Sequence, residues 1–247
     1  MDHNKTSAEN TGTPPEAPSV PEKDELTSPL KGKFNLFQGL AIFLLFVSLA
    51  GLFTPWYGYS MEINMSNPFN RDDAFKSSQH HNEAFIDFFI SEPEASEMKY
   101  KNEKEKEYIE KINTTAEKSQ GKNKTGKALM KWFGLIGFIA AFAAIVLAFA
   151  SPRIMTFVSL FAAICFVTAF IGALMWASAA NEVWKDWEDY SRAYIAENEI
   201  WTDISELYAK ARVCFGLIIS LVCSSAAAVL AAVGTFIVKK QKEMPAA

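Results

Sequence analysis

Four segments of the chain, residues 34–56, 132–150, 154–180 and 213–238, contain no Asp, Glu, Lys or Arg. Each is 19 to 27 residues long, close to the roughly 20 residues a helix needs to cross the hydrocarbon core of a bilayer. All 24 basic and 28 acidic side chains lie in the remaining sequence. So uneven a division excludes a single water-soluble globule, because four apolar lengths of this size would have no aqueous place to go. The expected fold class is an all-α membrane protein: four transmembrane helices with a small, mainly helical extracytoplasmic cap built from loops 1 and 3.

The segments between the spans divide the chain. Residues 1–33 hold five of the ten prolines and no apolar period, so they read as a disordered tail. They lack the apolar core and cleavage site of a signal peptide, and the first span (34–56) is expected to act as an uncleaved signal anchor. It ends in Thr54-Pro55-Trp56-Tyr57, where proline stops the helix and two aromatics suit the interfacial belt, as do Trp132 and Trp176. Loop 1 (57–131) opens polar and Asn-rich, passes through the apolar run 84–90, and closes in a Glu/Lys-rich stretch of good helix formers over 94–120. Phe85, Phe88 and Phe89 recur at helical spacing and are expected to lay an aromatic face on the bundle or the membrane surface. Spans two (132–150) and three (154–180) are joined only by Ser151-Pro152-Arg153, which makes them antiparallel neighbours.

Lys31, Lys33, Arg153, Lys239, Lys240 and Lys242 flank the face that carries both chain ends (the second tail is 239–247), and the segment 181–212 is acidic. The bias of basic residues toward the cytoplasm then puts both termini inside, in a plasma or bacterial inner membrane. Lys118, Lys122, Lys124, Lys127 and Lys131 oppose this, but they belong to a loop long enough for the rule to weaken.

In the segment 181–212, Val183, Trp187, Tyr190, Tyr194, Trp201, Ile204 and Tyr208 step by 4, 3, 4, 7, 3 and 4, a heptad-like apolar seam. One straight helix of that length could not reconnect neighbouring spans. A helical hairpin is expected, running outward to about Tyr194 and returning as helix from Ile200 into span four (213–238). In span four Gly216, Ser220, Ser224, Ala228 and Ala232 repeat every fourth residue. Such a ridge of small residues lets another helix approach closely, either inside the bundle or on a partner.

Chemistry-bearing patterns are few. The spans hold no ionisable residue of the kind that marks a substrate or ion path, which argues against a transporter acting by itself. His80, His81 and Glu83, with Asp72, Asp73 and Asp87 nearby, supply metal-ligand types, but without a ligating spacing they read as a solvated polar loop. Cys165, Cys214 and Cys223 all fall within spans and behave as small hydrophobes. Sequons occur at Asn4, Asn64, Asn113 and Asn123; in a eukaryotic secretory pathway the latter three would carry glycans and mark an outward loop. The net charge of −4 argues against a nucleic-acid partner. No catalytic residue, metal or cofactor is expected. The expected partners are membrane lipid and a protein partner or second copy of the chain. The topology resembles the general plan of claudins and tetraspanins, but the first loop has no cysteine, so the likeness carries over no residue.

Overall fold

The computed structural model describes residues 35–67, 70–86, 103–197 and 203–243. The tail 1–33 lies outside these residues. Four helices dominate: α1 (Leu36–Ala50), α2 (Glu103–Ala148), α3 (Pro152–Glu197) and α4 (Phe215–Glu243). All four are long and apolar enough to cross a membrane. α1 begins in a capping box, with Asn35 Oδ1 accepting from Phe37 N and Gln38 Oε1 accepting from Asn35 N, which satisfies orphan donors at the helix start. It closes in a 3₁₀ turn over Gly51–Phe53.

α2 and α3 each have 46 residues, about 70 Å at 1.5 Å per residue and over twice the thickness of a hydrocarbon core. Their short connection, in which Ser151 N donates to Leu147 O at 2.9 Å, fixes both at one end. Both therefore overshoot the apolar zone at the other end, as a two-helix rod. α2 begins within the Glu/Lys-rich stretch read as helical and runs without a break into span two. The pair approaches closely at two glycines. A Cβ on Gly172 would lie 2.7 Å from Gly126 O, and one on Gly126 would lie 2.6 Å from Gly172 O.

The all-α expectation is corrected at the overshooting end. A three-stranded antiparallel sheet forms there from β1 (Pro55–Asn67), β2 (Asn70–Ala84) and β3 (Asp203–Val213), in the order β2-β1-β3. Segments before α2 and after α3 thus meet, but through strand pairing rather than a helical cap. The outward arm of the expected hairpin is present, since α3 runs to Glu197. The returning arm is strand, and residues 198–202 lie outside the described residues. Periodicity explains the difference: Tyr57, Tyr59, Met61, Ile63 and Met65 alternate with Gly58, Ser60, Glu62, Asn64 and Ser66, and Leu207, Ala209, Ala211 and Val213 alternate likewise. Two-residue periods belong to strands with one face packed.

The sheet docks through that apolar parity. Tyr57 meets Trp176 edge-on with ring centroids 4.8 Å apart, and Tyr59 lies 6.0 Å from Trp184. Between the helices, Trp56 packs against Phe85 at 4.5 Å, Phe138 at 5.5 Å and Phe166 at 6.3 Å, while its indole N–H donates to Gly51 O at 2.8 Å. Trp56, Tyr57 and Trp176 are therefore core residues and not the interfacial belt the sequence suggested. Trp132 is exposed. Phe85 is a buried plug, and Phe88 and Phe89 lie outside the described residues.

β3 is an edge strand, and α3 covers part of its open edge. Asn181 Oδ1 accepts from Ala211 N at 2.7 Å and Asn181 Nδ2 donates to Ala211 O at 3.3 Å, so one side-chain amide replaces a neighbouring strand. Asn181→Leu leaves both backbone groups without that partner. It is expected to cost about 1–3 kcal/mol and to speed hydrogen exchange at Ala211 relative to the helices; unchanged exchange there would count against the role.

Farther into the bundle the core is made of small residues from all four helices, among them Ala41, Ala141, Ala144, Ala162, Ala227 and Ala231. α1 and α4 are tied by a reciprocal pair: Ser48 Oγ donates to Ser220 O at 3.1 Å, and Ser220 Oγ donates to Ser48 O at 3.0 Å.

Candidate interaction surface

The rod of α2 and α3 is tied by polar side chains beside its apolar contacts. Ser119 Oγ donates to Glu182 Oε2 at 2.9 Å, and Lys122 Nζ to Glu182 Oε1 at 3.1 Å. One turn farther out, Thr115 Oγ1 donates to Asp186, and Lys111 Nζ lies 2.8 Å from Asp186 and 3.6 Å from Asp189. Ile109 and Ile112 are buried beside this network, and Tyr108 meets Tyr190 at 5.9 Å.

The network shifts its members as charge pairing requires. The Ser119 hydroxyl, then Lys122, holds the Glu182 carboxyl below its ordinary value. Burial pushes Asp186 up, but bonds from Lys111 and Thr115 and the Lys111 and Lys185 charges outweigh it and leave the carboxyl lowered. Lys111 is raised, first by its bond to Asp186. Lowered carboxylates stabilise the folded form above their unfolded pKa and lose that contribution as pH falls through the folded value. The raised lysine acts at the opposite end, contributing below its unfolded pKa and losing that as pH rises through the folded one. The ion pairs of the rod are thus expected to hold at neutral pH and to weaken only as pH falls below the ordinary carboxylate range of about 4. Spin labels at positions 117 and 185 would report this as a lengthening distance in acid; a distance unchanged once Glu182 and Asp186 are protonated would refute it.

The seven seam positions are split. Val183, Trp187, Tyr190 and Tyr194 lie on α3, while Ile204 and Tyr208 lie on β3, opposite Met65 and Glu62 of β1. Trp201 is outside the described residues. They do not form one helical stripe: Tyr190 packs on α2, Trp187 meets Trp184 edge-on at 5.7 Å, and Tyr208 is 42% exposed on the sheet. Trp184, Tyr59 and Asn181, which join rod to sheet, are absent from the seam. Strand alternation over 57–66 was the available signal for Tyr59. For Trp184 and Asn181 the local sequence offers none.

The ridge of α4 turns with the helix. Every fourth residue advances about 40° beyond a full turn, so four steps drift about 160°. Gly216 packs against Thr54 and Pro55, and Ser220 against α1. Ser224 Oγ bonds Leu221 O. Ala228 and Ala232 instead line a groove of about 460 Å³ between α3 and α4, with Thr156, Leu160, Val167 and Ser225.

Other candidates separate. His80 and His81 are adjacent on β2 and so take opposite faces of the sheet; His80 Nε2 is 3.0 Å from Ser78 Oγ, and His81 Nε2 is 3.0 Å from Glu83 Oε1. Among the described residues no three His, Cys, Asp or Glu side chains are placed to hold a metal ion. Asp72 and Asp73 are on β2, and Asp87 is outside the described residues. Cys165 and Cys223 are on α3 and α4, whereas Cys214 sits between β3 and α4. Asn64 is on β1, and Asn113 and Asn123 share α2 with the five lysines from Lys118 to Lys131. Comparison with models of protein families and with curated proteins finds no match to this chain.

Proposed function

We propose that the chain is a non-enzymatic, multi-pass integral membrane protein with both termini cytoplasmic, whose sheet and two-helix rod act outside the cytoplasm in recognition or assembly. The observation that carries this reading is the overshoot of α2 and α3: both helices extend far beyond any bilayer and carry a sheet with them. A structure of that size is not needed to close four spans. Trp187, half-buried on α3, and Tyr208, exposed on β3, are large side chains of the kind enriched where partners bind.

The test is a pull-down from mild detergent, comparing the wild-type chain with Trp187→Ala, Tyr208→Ala and the pair. Loss of a co-purifying protein or of self-association, with an unchanged melting temperature, supports the reading. Full retention by the folded double variant counts against it. A second reading, accessory subunit of a channel or transporter complex, draws on the α3–α4 groove, where small side chains at membrane depth leave room for a partner helix. It predicts that Ala228→Leu, rather than the Tyr208 substitution, releases the partner.

A further inference from the structure

The outward face of the sheet carries a polar arrangement that the docking of the protein does not use. The parity opposite Tyr57 and Tyr59 places Asn82, Gly58 and Arg212 in one row across β2, β1 and β3, and His80, Ser60 and Lys210 in the next. The middle strand contributes only a glycine and a serine there, so the rows form a trough with a low floor between longer walls. Gly58 is required by the geometry: a Cβ on it would lie 2.5 Å from the backbone oxygen of His81 as well as 2.5 Å from Asn82 Oδ1. Asn82 leans over that gap, and its Oδ1 accepts from Arg212 Nη2 at 3.3 Å and from Cys214 Sγ at 3.6 Å. Those bonds assign the amide oxygen, which leaves Nδ2 as a donor at the same place.

Lys210, Arg212, His80 and Asn82 are all exposed. Neither Lys210 nor Arg212 has an ion-pair partner among the described residues. Two carboxylates share this parity farther along the strands: Glu62 in the row beyond, between Ser78 and Tyr208, and Glu206 in the row after that, paired with Asn64. Two permanent positive charges, an imidazole and a fixed amide donor are therefore exposed together above Gly58 and Ser60, which are buried beneath them.

Height above the membrane decides which anion this arrangement meets. β3 ends at Val213, and the apolar span of α4 starts at Phe215, which is 67% exposed. The span of α1 ends at Phe53, 73% exposed, on the same side. Arg212 is three residues from Phe215, at most about 10 Å along the chain. A guanidinium on a long flexible stem at that distance reaches the headgroup layer, where the abundant oxyanion is lipid phosphate.

We propose that this trough binds the phosphate of an anionic lipid headgroup, with Arg212 and Lys210 supplying charge and Asn82 and His80 supplying hydrogen bonds. Arg suits the role because its planar fork meets two phosphate oxygens at once. The assignment does not depend on which side of the membrane the sheet occupies.

The test uses the full chain in nanodiscs of phosphatidylcholine alone or of phosphatidylcholine with phosphatidylglycerol, read by melting temperature and by lipid retained in native mass spectrometry. Phosphatidylglycerol is expected to raise the melting temperature and to remain bound. Lys210→Gln with Arg212→Gln is expected to weaken that binding about tenfold or more, while the melting temperature in phosphatidylcholine alone is unchanged; Lys210→Arg is expected to retain binding. If the double variant is unstable in phosphatidylcholine, Asn82→Asp decides, because it keeps the shape, places a carboxylate beside Arg212 and should abolish binding. No stabilisation of the wild type by phosphatidylglycerol, or equal stabilisation of the folded variants, overturns the proposal. Saturable stabilisation by inorganic phosphate in phosphatidylcholine discs, with none from phosphatidylglycerol, also overturns it and assigns the trough to a soluble anion.

Discussion

Trp56→Ala is expected to lower the free energy of unfolding by about 3–5 kcal/mol, the range for emptying a fully buried large aromatic site. Trp56 has no exposed surface and is the common neighbour of Phe85, Phe138 and Phe166, so its removal loosens three elements at once. Collapse cannot recover much of this. Phe85 is carried by the end of β2, whose register is set by pairing with β1, and Phe138 and Phe166 are carried by helices already in close contact. Trp56→Phe separates the contributions: it keeps most of the packing and loses the 2.8 Å bond to Gly51 O, for a smaller cost of about 1 kcal/mol. Thermal unfolding in detergent measures both. An alanine variant within about 1 kcal/mol of wild type would mean that Trp56 is not the plug between sheet and bundle.

Gly172→Val should be nearly as damaging, for the opposite reason. Replacing a helical glycine ordinarily stabilises a helix, by up to about 1 kcal/mol for alanine. Here the first added carbon would sit 2.7 Å from Gly126 O, 2.7 Å from Leu129 Cβ and 3.0 Å from Met130 N. Two of those atoms belong to helix backbone and cannot rotate away. Steric cost of about 3 kcal/mol or more therefore outweighs propensity, and relief requires α2 and α3 to part. Separation at this point would also stretch the Ser119–Glu182 and Lys111–Asp186 contacts two to four turns along. The spin-label distance between positions 117 and 185 should lengthen together with a fall in melting temperature. A stabilised Gly172→Ala variant would show that the helices are not in contact there.

Both results bear on the proposed functions, because the rod and sheet can present Trp187, Tyr208 or the Arg212 trough only while they stay docked. A variant that loses partner or lipid binding along with its melting temperature reports on the scaffold. One that loses binding alone reports on the surface.

What the sequence settled by itself was the part governed by solvent. Ion-free lengths near 20 residues leave little choice but helices, since every backbone N–H and C=O in lipid must find a partner within its own segment, and four such helices are present. Outside the apolar zone the helical period of α3 was legible as far as about Tyr194, and the helix runs on to Glu197. The strands were half legible: the alternation at 57–66 and 207–213 is plain in the letters, but the three-and-four spacing of Trp201, Ile204 and Tyr208 fits a helix equally well over so short a stretch. Strand pairing decided between them, because β1 and β3 pair residues about 150 apart in sequence, Tyr59 with Ala211 in register with Tyr57 and Val213, a relation no local window contains. The same holds for the fate of single residues. Trp56, Tyr57 and Trp176 have the chemistry of interfacial anchors, yet they are buried where the start of β1 packs on α2 and α3, and Lys210, Arg212, His80 and Asn82 share one face only because β2 and β3, distant from each other in sequence, flank Gly58 and Ser60. Solvent chose the spans from composition; which side chains met one another was chosen by long-range pairing and close packing, which exist only in the folded chain.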